Sequence, residues 1–103
     1  MKHKINVTEE DIKYGAPGDC SKCAIALAVQ REFPLKNVEV RTVENNDMRL
    51  DKDGEVYIAL DDKLYHFEDD VNEKLYTFID RFDQEYGVDP FQFELEVDNG
   101  WSN

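Results

Sequence analysis

Long apolar runs are missing from this chain of 103 residues. The longest, from Ala24 to Val29, has six residues, far short of the ~20 that span a bilayer. The amino terminus, MKHKINVTEED, carries no apolar stretch of the secretory kind. Cysteines number only two, too few for a disulfide framework, and a chain of this length buries roughly 65% of its unfolded surface without one. The expectation is a soluble cytoplasmic protein with reduced thiols. With five glycines and three prolines there is no linker or low-complexity tract. A single domain over 1–103 is therefore predicted, with residues 98–103 as a loose tail from which Trp101 could fold back onto the domain.

Basic residues are also scarce: 12 Lys and Arg stand against 24 Asp and Glu, for a net charge of -12. The imbalance is one-sided along the chain. Residues 1–43 hold 7 basic and 6 acidic side chains, whereas residues 44–103 hold 5 and 18. Direct binding to nucleic acid or to an anionic membrane needs the opposite sign and is disfavoured. Basic proteins and metal cations remain as attractors. Duplex DNA carries one charge per ~1.7 Å, so the excess of the second half matches roughly 22 Å of duplex. A nucleic-acid mimic that occupies a basic groove fits that count, although most such charge simply keeps a small domain soluble.

What is present reads as an α+β pattern. Ile5, Val7 and Thr8 suggest a first strand. Gly15-Ala16-Pro17-Gly18 is a breaker cluster, after which Asp19 is the expected N-cap of a helix reaching about Glu32 and stopped by Pro34. Ala24 to Val29 make that helix apolar on nearly all sides, so it should lie deep. Val38, Val40, Thr42 and Val43 read as a strand and Asn45-Asn46-Asp47 as a turn. Lys52-Asp53-Gly54 is expected to be a hairpin loop with Gly54 left-handed, setting Leu50 opposite Val56 and Met48 opposite Ile58. A second turn at Asp61-Asp62 sets Ile58 opposite Tyr65 and Val56 opposite Phe67. Both place Val56, Ile58 and Leu60 on one buried face. Asp69 or Asp70 should cap a further helix to about Tyr86, with Val71, Leu75, Phe78, Ile79, Phe82 and Tyr86 as its apolar stripe and Gly87 as its stop. Residues 91–97, FQFELEV, alternate strictly, with Phe91, Phe93, Leu95 and Val97 inward. The sum is a two-layer α+β domain, an antiparallel meander with two helices on one face.

The sharpest chemical motif is Cys20-Ser21-Lys22-Cys23. A thiol in the first turn of a helix meets the positive end of its dipole, which lowers the pKa, and Lys22 would support a thiolate. A thioredoxin-type motif, however, follows a strand in a parallel βαβ unit, which this pattern lacks. A zinc site needs four ligands. The only histidines, His3 and His66, form no second pair, and a structural zinc would require His66 to approach the cysteines. Burial of Cys23 on the apolar helix, with Cys20 the more reactive of the two, is the plainer reading. Asp51-Lys52-Asp53-Gly54-Glu55 has Tyr57 and Ala59 where a calcium loop would continue its ligand pattern and is better explained as a hairpin. The pairs Asp61-Asp62 and Asp69-Asp70 are turn and cap residues first. No nucleophile elbow, phosphate-binding glycine loop or Ser-His-Asp order occurs.

The chain resembles short hypothetical proteins of bacteriophages and actinobacteria, through VTEEDI (7–12), GDCSKCAIALAV (18–29), YTFIDRFD (76–83) and VDPFQFELEV (88–97). Those relatives often carry proline where this chain has Ala24. The resemblance brings no established activity. It implies a small accessory protein, of a kind that includes phage inhibitors of host machinery. The expectation is thus a non-enzymatic acidic protein, with no cofactor, that binds a basic protein, a nucleic-acid-binding one being the obvious candidate. Asp70, Glu73, Asp80, Asp83 and Glu85 along the second helix, and Glu94 and Glu96 on the last strand, are the binding residues expected. The alternative is a site built on Cys20, Cys23 and His66, either structural zinc or a thiol couple.

Overall fold

The computed structural model describes residues 2–44 and 54–97. Within them run β1 (Lys2–Val7), α1 (Glu9–Tyr14), α2 (Ala24–Glu32), β2 (Val38–Glu44), β3 (Gly54–Leu60), β4 (Lys63–Tyr65), α3 (Asp69–Asp83) and β5 (Phe91–Glu96). The class is α+β. The antiparallel meander occupies the middle of the chain, β2–β3–β4, while the first and last strands pair with each other as a second, two-stranded sheet. Ile5 stands opposite Phe93 and Val7 opposite Phe91. On β5, Phe93, Leu95 and the following Val97 are buried while Gln92, Glu94 and Glu96 face water, as the alternation predicts.

Helix α2 joins the two sheets. It packs against β1 and β2, and Ala24, Ile25, Ala26 and Val29 are fully buried. The small alanines let the backbone approach both layers closely. Its start corrects the sequence reading: the N-cap is Cys23, not Asp19. The Asp19 carboxylate is spent on the backbone N–H and hydroxyl of Ser21, both at 3.0 Å, and its carbonyl accepts from Lys22 and Cys23. It therefore closes a separate tight turn ahead of the helix, an Asx-type alternative that competes with capping. Before that turn lies α1, a helix the sequence reading did not assign. Thr8 and Asp11 form a capping box around it, Thr8 N–H to Asp11 Oδ2 at 2.9 Å and Asp11 N–H to Thr8 Oγ1 at 3.2 Å, which satisfies two free amides of a short helix.

Strand β3 carries buried Val56, Ile58 and Leu60, and Ile58 lies opposite Tyr65 on β4 as expected. Its other neighbour differs. Val40 stands opposite Ile58 and Thr42 opposite Val56, so both edges of Ile58 are filled. Met48, Leu50 and the turns at 45–47 and 52–53 lie outside the described residues. Gly54 is not left-handed. It opens β3 opposite Glu44, and a Cβ there would meet the Val43 carbonyl oxygen at 2.6 Å and the Tyr76 ring at 2.7 Å. Glycine is required for room.

Helix α3 is capped by Glu68 without a side-chain hydrogen bond, not by Asp69 or Asp70, and ends at Asp83. The stop comes before Gly87. Glu85 takes the left-handed conformation at φ 61°, with Glu85 N–H bonded to Phe82 O and Tyr86 N–H to Arg81 O, the pair of bonds that defines a Schellman ending. Tyr86 is consequently 57% exposed and leaves the apolar stripe, while Leu75, Phe78 and Phe82 are buried. The stripe also holds a polar residue, Asn72, 4% exposed. Its Oδ1 accepts from Val56 N–H and its Nδ2 donates to Gly54 O, both at 2.8 Å. Three-residue β4 reaches only as far as Ile58, and the Asn72 amide completes the rest of that strand edge in place of a backbone.

Candidate functional site

At 3.6 residues per turn, Asp69, Glu73 and Asp80 fall within about 40° of the circumference of α3, and Asp83 borders them on the side of the cysteine loop. Lys74 and Arg81 fall on the opposite flank. Their contacts confirm that separation: Lys74 Nζ donates to Gln92 O at 3.2 Å and lies over the Phe91 ring, while Arg81 reaches Gly87 O and the Tyr86 ring. Lys74 is thus committed toward β5 and Arg81 toward the segment just after the helix, which leaves a flank of one sign. Asp70, Glu73, Asp80, Asp83 and Glu85 are all exposed. Asp83 has a structural task too, since its Oδ1 accepts from Gly18 N–H at 2.9 Å and ties the cysteine loop to the helix.

Glu94 and Glu96 are exposed as well but belong to a different environment. They stand opposite Lys4 and Lys2 of β1, and Lys2 Nζ lies 3.9 Å from Glu94. Cross-strand pairing balances their charge. Of the seven expected binding residues, the structure keeps Glu73, Asp80 and Asp83 on one flank of α3, puts Asp70 on the flank of Lys74 and Arg81 and Glu85 past the helix end, and sets Glu94 and Glu96 apart on β5.

The cysteine loop sits beside the acidic flank. Gly18 (φ 78°) turns the chain, Ala16 N–H bonds to Lys22 O, and Cys20 O accepts from Val40 N–H at 2.8 Å, which staples the loop to β2. Both cysteines are free, Cys20 exposed and Cys23 buried. Cys23 Sγ accepts from Ala26 N–H at 3.5 Å. Burial pushes its thiol above the ordinary range, more than the Ala26 and Ile25 amides lower it, so at Cys23 desolvation outweighs the helix terminus. Cys20, Cys23 and Asp83 line a cavity of about 350 Å³ together with β2 and Ile79.

His66 is elsewhere: its ring packs edge-on against Tyr57 at 4.5 Å, beside Glu55 and Asn72. His3 Nδ1 contacts Glu32 Oε1 at 3.1 Å. Among the described residues no three His, Cys, Asp or Glu side chains converge as a metal-binding group. No helix among them is long and apolar enough to cross a membrane.

One polar centre was missed by the sequence reading. Asp11, 4% exposed, receives Arg31 Nη1 at 2.9 Å and Nη2 at 2.8 Å on its two oxygens, and Nη2 also donates to Asn6 O at 2.8 Å. Burial raises the Asp11 carboxyl, but hydrogen bonds from Arg31 and Thr8 and the Arg31 charge together hold it below its usual range. This bidentate pair clamps α1 to α2 and β1. The Thr-x-x-Asp spacing of 8–11 is the signal that would have found its capping half; the partner Arg31 is twenty residues away and has no local signature. Comparison with protein-family models, curated proteins and solved structures gives no match.

Proposed function

We propose that this chain is a non-enzymatic interaction protein whose acidic α3 flank docks on a basic protein, a nucleic-acid-binding one in particular. The observation that carries the reading is the segregation of charge on α3. Acids run along one side, and the two cations are spent on carbonyls and rings of the other. A single-signed flank steers a basic partner and gives salt-sensitive association. The cross-strand lysine partners of Glu94 and Glu96 put those two outside the proposed surface.

The test is affinity capture with the wild-type chain and with a charge-reversed form carrying Glu73→Lys and Asp80→Lys, exposed positions whose replacement spares the Asp83 tie. A basic protein retained by the wild type, released by salt and not retained by the reversed form is the expected result. Equal retention by both forms refutes the assignment. The alternative reading, chemistry at Cys20 and Cys23 with or without zinc, is separated by Cys20→Ser, which should leave capture unchanged.

A further inference from the structure

Four consecutive residues of β2, Val40, Arg41, Thr42 and Val43, line the cavity of about 350 Å³ beside the cysteine loop. Strand side chains alternate between two faces, so a cavity that touches all four runs alongside the strand's edge. Hydrogen bonding shows which groups point outward. Val40 N–H donates to Cys20 O, away from β3. By the two-residue repeat of an antiparallel ladder, the N–H and C=O of Thr42 point the same way, while Arg41 and Val43 turn theirs to β3 opposite Tyr57 and Glu55. The cysteine loop thus closes the rung at Val40. Among the described residues no group closes the rung at Thr42. Ile79 and Cys23 supply apolar lining, Asp19 and Asp83 supply negative charge, and the acidic flank of α3 continues from Asp83. The one cation in the lining, Arg41, is engaged at 2.6 Å by Glu39.

We propose that this edge receives an extended, lysine- or arginine-bearing segment of the basic partner, added as a strand beside Thr42 with one side chain in the cavity. Strand addition of this kind takes affinity from main-chain bonds and selectivity from the adjoining pocket, and unprotected edges are the places where proteins accept a foreign strand. The size is that of a small ligand pocket, ~300–1,000 Å³. The inference rests on the charge reading above and specifies where, and through which atoms, the partner is held.

The experiment uses a short fluorescent peptide of alternating lysine and valine, and the same peptide with alternate backbone amides N-methylated, which keeps the charge and removes the donors. Anisotropy at low salt should show the methylated peptide binding roughly tenfold more weakly, the loss of one or two hydrogen bonds. Amide exchange at Thr42 of the wild-type chain should slow when the unmodified peptide is added. Thr42→Pro, which removes the outward N–H at an edge position that tolerates proline, should weaken the unmodified peptide to the same degree, its fold checked by circular dichroism. If that variant fails to fold, the Thr42 exchange rate decides. Equal affinity for both peptides with unchanged Thr42 exchange overturns strand addition while leaving salt-sensitive charge binding intact. Absence of binding by either peptide at low salt overturns both.

Discussion

Replacing Arg31 with methionine isolates the energetics of the Asp11 clamp. The substitution keeps an apolar stem of similar reach but removes three hydrogen bonds, two to Asp11 and one to Asn6 O. The Asp11 carboxylate, 5% exposed in its side chain, is then left with the Thr8 amide alone. Breaking a buried pair by deleting one partner costs ~3–5 kcal/mol. The Arg31 side chain is 54% exposed, so screening reduces this to about 2–3 kcal/mol at neutral pH, a large fraction of the ~5–15 kcal/mol that holds such a domain. The sign of the pH dependence is fixed. Because the folded-state carboxyl lies below its unfolded value, the wild type has this stabilisation above the unfolded pKa of ~3.9 and loses it as pH falls through the folded value. In Arg31→Met the carboxyl is buried and unpaired, its pKa rises, and protonation relieves the variant. The gap between the two proteins should therefore narrow toward pH ~3. Urea unfolding at neutral and acid pH measures it. A gap below about 0.5 kcal/mol at neutral pH, within the range of ordinary surface substitutions, or one that is the same at both pH values, refutes the argument.

Asn72→Ala should destabilise by about 2–3 kcal/mol, because it orphans Val56 N–H and Gly54 O in a buried setting, and urea midpoints check it. Gly54→Ala should cost about 2 kcal/mol or more, since the obstructing Val43 oxygen is backbone and cannot swing aside; a neutral result in thermal unfolding would show that the approach is not tight. Glu85→Gly should raise stability by roughly 0.5–1 kcal/mol by relieving the left-handed backbone, read as a higher melting temperature. Thiol titration of the native protein should show Cys20 reacting first, with Cys23 labelled only as the chain unfolds. Two equal rates would contradict the burial of Cys23.

The amino-acid order determined what depends on near neighbours. Period-two alternation placed Phe93 and Leu95 inward, the three- and four-residue spacing of Leu75, Phe78 and Phe82 made a helix face, and the alanine-rich run put α2 deep. Each follows from local geometry acting on adjacent side chains. Tertiary structure decided the rest, because backbone and charge have several satisfactory partners and only the assembled fold chooses among them. Asp19 was equally suited to a helix cap or a turn, and Ser21 took it. Val56 and Ile58 suited any apolar strand, and β2 filled the edge assigned to Met48 and Leu50. Glu94 and Asp80 carry the same charge in the sequence; facing lysines on β1 neutralise one, while the outward flank of α3 keeps the other. Asp11 and Arg31 met across twenty residues for the same reason, since a buried carboxylate must find its cation wherever the chain brings one.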